Sequence, residues 1–400
     1  MKIVHICLAA VYIEGFGYQE NILPQCHRAM GYDVTVLTSD HVFDKNYTQK
    51  IREENDYVNP YGVHVIALQR TKRYGPYSKF GDYADLFNIT TANYTFFCSG
   101  LNDILKKEKP DIIFVHGGQF VALMDVIAYC KRNSQVKLYI DQHGDYYNMR
   151  LDRWQNRFVQ HWVYGHWMRK AIPYVNKFWG VTPWRCQYLN DVYKIPKEKI
   201  DLLVMGGDDT YIHFKVQEQI RKQIREELDL GQEDFVLISG GKIDRKKNIH
   251  VLINVVEEMN RNNLKLIVFG QPDKDMKALI EDMSRDSHVR YIGWLDSTKV
   301  YDYFLASDLA VFPGTHSVLW EQACSCGLPG IFKDWVGMRH VDLGGNARFV
   351  RGDDKEELKT VISEILDSTV EYEKMREVAR NKAIPYFSYA RIARRAIELE

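Results

Sequence analysis

Short, nearly continuous apolar runs recur along this chain, each followed by an amphipathic stretch, and the whole series occurs twice. Residues 2–8, 33–38, 111–116, 138–142 and 178–181 form the first series of runs, and residues 235–239, 264–269, 289–292 and 309–312 form the second. An apolar run of this length suits a strand buried on both faces, as in a parallel sheet covered by helices. The intervening stretches have helical spacing, around residues 20–30, 249–259, 274–283 and 299–306. Alternating strands and helices predict an α/β fold with doubly wound parallel sheets.

The chain has 400 residues, too many for one ordinary core. The repeat of the pattern places the division. We expect a first Rossmann-like domain over residues 1–200, a second over residues 201–380, and a closing helix over residues 381–400 that crosses back to the first. A charged stretch near 195–230, opening on a loop rich in Gly and Asp, reads as the linker. Two such domains face each other across a central cleft in this expectation.

Charge adds little about the fold. Lys plus Arg and Asp plus Glu both number 53, but residues 1–200 hold 25 basic and 19 acidic side chains and the remainder 28 and 34. That asymmetry bears on partners. No nucleic-acid partner is expected. Seven scattered cysteines, without zinc-site spacing, suit reduced thiols in a cytoplasm. The apolar start at residues 3–10 is too short to span a bilayer. A cytoplasmic location is expected, peripheral on the inner face of the membrane if the basic stretch described below meets lipid.

Four loops carry candidate chemistry. Glu14-Gly15-Phe16-Gly17-Tyr18 joins the first strand to the first helix, without the G-x-G-x-x-G spacing of dinucleotide sites. Gly240-Gly241-Lys242-Ile243-Asp244-Arg245-Lys246-Lys247-Asn248 follows a strand and opens a helix. Glycines beside mobile cations suit a diphosphate; a solvated basic loop is the plainer reading. Pro313-Gly314-Thr315-His316-Ser317-Val318-Leu319-Trp320-Glu321-Gln322 also joins strand to helix. Its Glu321 carboxylate can accept from both hydroxyls of a ribose, or act only on the local helix N-terminus. Asp141-Gln142-His143-Gly144-Asp145 lies at a strand tip, where polar side chains line a ligand cleft. His116-Gly117-Gly118 sits similarly, without a charged companion.

Together these motifs resemble the family-4 retaining glycosyltransferases, which have the two-Rossmann GT-B fold. The resemblance is strongest over residues 235–350. It implies that Lys242 and Lys247 bind the donor diphosphate, that His143 is the family's strand-tip histidine near sugar or acceptor, and that Gly15 to Gly17 form its Gly-rich first loop. Met205-Gly206-Gly207-Asp208 is similar to its linker turn, and Phe387-Ser388-Tyr389-Ala390-Arg391-Ile392-Ala393 to the start of its last helix. The family's first of two glutamates, eight positions before the second, is missing: counting back from Glu321 meets Pro313, and aligning on Gly327-Leu328-Pro329 meets Gly314 and Gln322. His316 and the N–H groups of Ser317, Val318 and Leu319 are the candidates for its role at the sugar.

The resemblance implies transfer of a hexose-type sugar from a UDP- or GDP-sugar to a glycan, lipid-linked or small-molecule acceptor, in bacterial-type surface polysaccharide or glycoconjugate synthesis. Retention is expected, with Lys242, Lys247, Gly241 and Glu321 at the nucleotide. No metal or other cofactor is expected, because no paired-aspartate motif sits in a metal-ligand context. A nucleotide-sugar epimerase or a non-catalytic two-lobed binding protein is the alternative. One stretch is unaccounted for. Five of the eight tryptophans (Trp154, Trp162, Trp167, Trp179 and Trp184) lie among Arg150, Arg153, Arg157, Arg169, Lys170 and Lys177, with Asp152 the single acid of that stretch. That composition suits an anionic membrane or lipid-linked acceptor; tryptophans at helical spacing are otherwise core residues.

Overall fold

The computed structural model describes residues 1–10, 12–43, 49–71, 98–283 and 288–399. It resolves into two compact units, Met1–Val204 with Ala393–Glu400, and Met205–Ile392.

The first unit is built on strands β1 (Lys2–Cys7), β2 (Asp33–Ser39), β5 (Asp56–Val58), β6 (His64–Leu68), β7 (Ile112–His116), β8 (Lys137–Gln142), β9 (Lys177–Gly180) and β10 (Ile200–Leu202). They form one sheet in the order β10-β9-β8-β7-β1-β2-β6-β5. Every pairing is parallel except β5 with β6. A separate antiparallel pair, β3 (His41–Phe43) and β4 (Gln49–Ile51), stands beside it in sequence. The second unit holds β11 (Phe235–Gly240), β12 (Leu264–Phe269), β13 (Val289–Tyr291), β14 (Leu309–Phe312), β15 (Gly330–Lys333) and β16 (Ala347–Val350). Their order is β13-β12-β11-β14-β15-β16, all parallel. In each sheet the order reverses beside the first strand, between β1 and β7 and between β11 and β14. Loops leaving the carboxyl ends of strands at such a reversal diverge and leave a crevice.

The two faces of the first sheet differ, and the side-chain alternation of the strands shows how. Val4, Ile6, Ile113, Val115, Leu138, Ile140 and Phe178 share one buried cluster with Leu105, Val126, Tyr164 and Trp167 from the covering helices. Each large side chain buried there contributes about 1.5–3 kcal/mol relative to exposure. The alternate positions carry His5, His116, Tyr139, Asp141 and Trp179, all buried. That face receives the chain's final segment: Trp179 Nε1 donates to Ala396 O at 3.1 Å, and Tyr139 Oη to Glu398 Oε2 at 2.9 Å. The strands are buried on both sides as their apolar runs predict, yet one side is satisfied by hydrogen bonds.

In the second unit, helix Gln217–Glu227 shows no strong apolar stripe in sequence but is anchored by Arg225. This side chain is fully buried. Its guanidinium donates to Ala306, Gly231, Gln232 and Asp234 carbonyls at 2.9–3.2 Å and to Asp308 Oδ2 at 2.7 Å. Asp308 also accepts from Val236 N at 2.8 Å and Arg221 at 2.7 Å. The network clamps the helix to the amino ends of β11 and β14. Removing one partner would leave a buried charge, which costs about 3–5 kcal/mol. Arg225→Ala is therefore expected to lower the guanidinium midpoint of the first unfolding transition by that equivalent, while Lys222→Ala, on an exposed pair, leaves it in place. An unchanged midpoint for Arg225→Ala would show that the clamp contributes nothing.

Candidate functional site

In the second unit the two expected loops meet at the strand-order reversal. The Asp244 carboxylate accepts from Lys246 N and Lys247 N, closing a short turn after β11. Asn248 then takes a left-handed conformation (φ 53°) and opens helix Ile249–Met259. Its amide donates to Pro313 O at 3.1 Å, in the loop after β14. Thr315 N returns a bond to Lys246 O. Lys247 Nζ donates to Thr315 O at 2.6 Å and approaches His316 O at 3.4 Å. Gly314 is needed for this closeness, since a Cβ there would lie 2.2 Å from Lys247 Cα. Gly270 abuts the Gly241 carbonyl in the same way. These glycines thus serve backbone packing at the carboxyl edge of the sheet. Burial pushes the Lys247 ammonium down to about 8; Asp244 pulls upward and Lys242 downward. Lys242 itself is exposed.

Glu321 stands in the first turn of its helix, as its place in the sequence implies. It lies in helix Leu319–Ser325 and is fully buried. Its Oε1 accepts from His316 Nε2 and His340 Nε2, both at 2.8 Å. Burial alone would raise its pKa, but the two imidazoles outweigh it and hold the carboxyl down at about 2. Oε2 and His340 Nδ1 are buried without hydrogen-bond partners among the described residues. A carboxylate with one oxygen committed twice does not offer both oxygens to a ribose. Its clear effect is to orient His316, at the end of the basic crevice. His340 was not visible in the sequence: it comes from the Arg339–Val341 turn beyond β15, 19 residues away from Glu321. Gln322 turns instead toward Tyr301 Oη, at 3.3 Å. The N–H groups of Ser317, Val318 and Leu319 precede or open the short helix, where no intrahelical carbonyl is available to them.

In the first unit, His143 follows the tip of β8, with its side chain 33% exposed and Nε2 3.2 Å from Asp141 Oδ2, outside hydrogen-bond geometry. Burial opposes a charge on this ring, and the Asp141 carboxylate favours it; the net shift is upward. Asp141 is fully buried and accepts from His116 Nδ1 at 2.9 Å and Gly117 N at 2.9 Å. Behind it runs a series of imidazoles. His116 Nε2 meets His5 Nδ1 at 3.0 Å, His5 Nε2 meets His27 Nδ1 at 2.9 Å, and His27 Nε2 meets Ala393 O at 2.8 Å. The carbonyl only accepts, so His27 carries hydrogen on Nε2 and each ring in turn donates toward it. Four hydrogen bonds need four hydrogens, and three neutral imidazoles bring three. The fourth lies between His116 and Asp141. Burial and the neighbouring rings hold His5 well below the usual range; burial, above all, brings His27 to about 4. Asp141 is also held low: its two histidines outweigh burial. His116 had the weakest claim in sequence and proves to be the link between sheet and strand tip. The Gly15 loop is exposed, with φ of 77° at Gly15.

Among the described residues, two triples bring potential metal-ligand atoms within 4.8 Å of one another: His116, Asp141 and His143, and His316, Glu321 and His340. Nitrogen and carboxylate donors of this kind suit a divalent ion, but their 2.8–3.2 Å separations are those of direct polar contact. A cavity of about 370 Å³ lined by Arg221, Phe304, Asp308, Tyr372 and Arg376 includes none of the expected site residues. Asp308 precedes β14, so this cavity belongs to the amino edge of the sheet, away from the ligand loops.

Residues 220–382 match the family described as Glycosyl transferases group 1, and the matched stretch lies within the second unit. It begins within the Arg225 helix and contains both loops of the crevice. The alpha-galactosylglucosyldiacylglycerol synthase of Streptococcus pneumoniae is 23% identical over 206 residues, 48% of this chain. The match spans about half the length of that relative, 52%. A glycosyltransferase from Rickettsia africae superposes with TM-score 0.68 at 14% identity, covering 100% of this chain and 97% of its own. Anabaena HepE, solved with UDP and glucose, superposes with TM-score 0.64 at 14% identity, covering 100% and 99%. The fold is GT-B.

The buried histidines give the first unit a pH signature. Where the folded pKa of His27 lies below its unfolded value, the unfolded chain binds more protons, so stability falls as pH drops from 6.5 to about 4. His27→Gln is expected to flatten that decline, besides lowering stability at pH 7. Denaturant midpoints measured across this window check it; parallel curves for both proteins would refute it.

Proposed function

We propose that this chain is a glycosyltransferase that moves a hexose-type sugar from a nucleotide-sugar donor to a glycan or lipid-linked acceptor, with retention and without a metal, in the synthesis of a surface polysaccharide or glycoconjugate. The observation that carries it is the crevice at the β11–β14 reversal, where Lys242 and Lys247 flank the Gly-rich turn inside the stretch that matches the group 1 family. The UDP and glucose in the HepE neighbour favour a UDP-sugar donor.

In this reading the leaving nucleoside diphosphate gathers negative charge as its bond to the sugar breaks. The Lys242 and Lys247 ammonium groups stabilise that charge in a crevice whose backbone is already fixed. His316, held by Glu321, lies beside them and takes the place of the missing first glutamate. Glu321 supports the nucleotide through His316 and offers at most its second oxygen to the ribose. His143 sits where sugar or acceptor would approach the first unit, and the Gly15–Gly17 loop is assigned to the same acceptor side. The leaving phosphate takes the acceptor hydroxyl's proton, so no protein nucleophile is required. Incubation with labelled nucleotide sugars, with release of free nucleoside diphosphate as the readout, tests the reading as a whole.

Lys242→Ala and Lys247→Ala are each expected to reduce transfer about 10- to 1,000-fold, on the scale of one lost charge-stabilising donor. Wild-type turnover in both would remove the diphosphate assignment. Transfer is also expected to persist in EDTA. Full loss, restored by manganese, would assign a metal role to one of the two histidine–carboxylate triples.

A further inference from the structure

The basic, tryptophan-rich stretch divides when folded. Trp167 and Trp179 are 2% exposed and belong to the core. Trp184 is half-buried, its ring 5.4 Å from that of Tyr146. Trp154 and Trp162 remain 72% and 68% exposed, Phe158 is 51% exposed, and Tyr147 is 50% exposed. Trp154, Phe158 and Trp162 are spaced by four along one continuous helical segment, Trp154–Phe158 followed by a wider π turn at Val159–Tyr164. They therefore share a side.

That side is outward for a definite reason. Asn156, Val159, Gln160 and Tyr164 fill the inward face. Gln160 Oε1 accepts from Tyr188 Oη at 3.0 Å and Tyr193 Oη at 2.6 Å, and its amide meets Met149 Sδ at 3.4 Å. Rolling the helix to bury the aromatics would break this buried network, leaving polar groups unpaired at about 1–3 kcal/mol each. Exposed Arg150, Arg157 and Lys170 accompany the stripe, with Arg153 and Arg169 half-exposed and Asp152 the acid opposite Arg150. Arg157 donates to Leu151 O, which fixes its stem beside the aromatics.

We propose that this face docks the chain on an anionic lipid surface, with the rings of Trp154, Phe158 and Trp162 at the headgroup–acyl boundary and the arginines on lipid phosphates. Tryptophan and arginine together favour lipid because the rings take the interfacial layer and the cations take the headgroups. No helix among the described residues is long and apolar enough to cross a membrane, so attachment would be peripheral. The inference goes beyond the transferase reading and does not depend on it, because its test reads binding alone.

The test is flotation of the full chain with vesicles of phosphatidylcholine alone or mixed with phosphatidylglycerol. Wild type is expected to float with the mixed vesicles at low salt and to sink with phosphatidylcholine alone. Arg150→Ala with Arg157→Ala should lower partitioning about 30-fold, two surface charges' worth. Trp154→Ser with Trp162→Ser should abolish flotation, with circular dichroism and thermal midpoint unchanged in both variants. Three outcomes overturn the proposal: wild type that stays at the bottom with phosphatidylglycerol, equal flotation on both vesicle types, or variants that float like wild type. If wild type sinks and sedimentation shows a dimer that the tryptophan variant breaks, the stripe is a contact between copies of this chain.

Discussion

A fully buried carboxylate, Asp141, dictates much of the first unit. A charge with no exposure is tolerable only when hydrogen-bond donors converge on it. Here His116 and the Gly117 N–H converge, and His143 stands beside them. His116 in turn requires an acceptor on its other nitrogen, which His5 supplies, and His5 requires His27. The series ends at a backbone carbonyl, Ala393, so the returning segment of the chain is part of the same requirement. One charge at a strand tip is thereby tied to three strands, a helix and the chain's end. The partly exposed ring of this group, His143, lies just past the end of β8, beside the buried carboxylate.

The second unit separates its tasks along the strands. At the amino edge, Arg225 and Asp308 fix helix Gln217–Glu227 through a buried hydrogen-bond network. At the carboxyl edge the backbone is packed tightly through glycines, and cations are left over. Lys247 is half-committed to Thr315 O, while Lys242 is exposed. A stiff backbone with spare positive charge suits an anion that must be held while its own charge changes. Stability at one edge and binding capacity at the other follow from the polarity of a parallel sheet.

In the proposed reading, His316 beside Glu321 stands in for a missing residue. The resemblance implies an acidic pair in the donor loop. This chain has one acid in the loop, and that acid is buried under two imidazoles. What reaches the crevice is therefore an oriented histidine and backbone, not a second carboxylate.

The sequence by itself determined the two parallel sheets, because runs such as Ile112–His116 and Phe235–Gly240 can be satisfied only with both faces covered. It also determined where the crevice loops lie, since glycines and lysines cluster after β11 and a polar run follows β14. It could not assign partners across the sheets. His5 and His116 are 111 positions apart, and only the adjacency of β1 and β7 puts their ring nitrogens 3.0 Å apart, while His27 joins them from helix Gln19–Ala29. His340 reached Glu321 in the same manner, from a turn with no spacing signal. Nor could helical spacing separate Trp167 from Trp162, which differ in exposure by 2% against 68%. Periodicity tells that a helix has two faces. Which face meets the core is decided by the hydrogen bonds of Gln160, formed with residues that only the folded chain brings near.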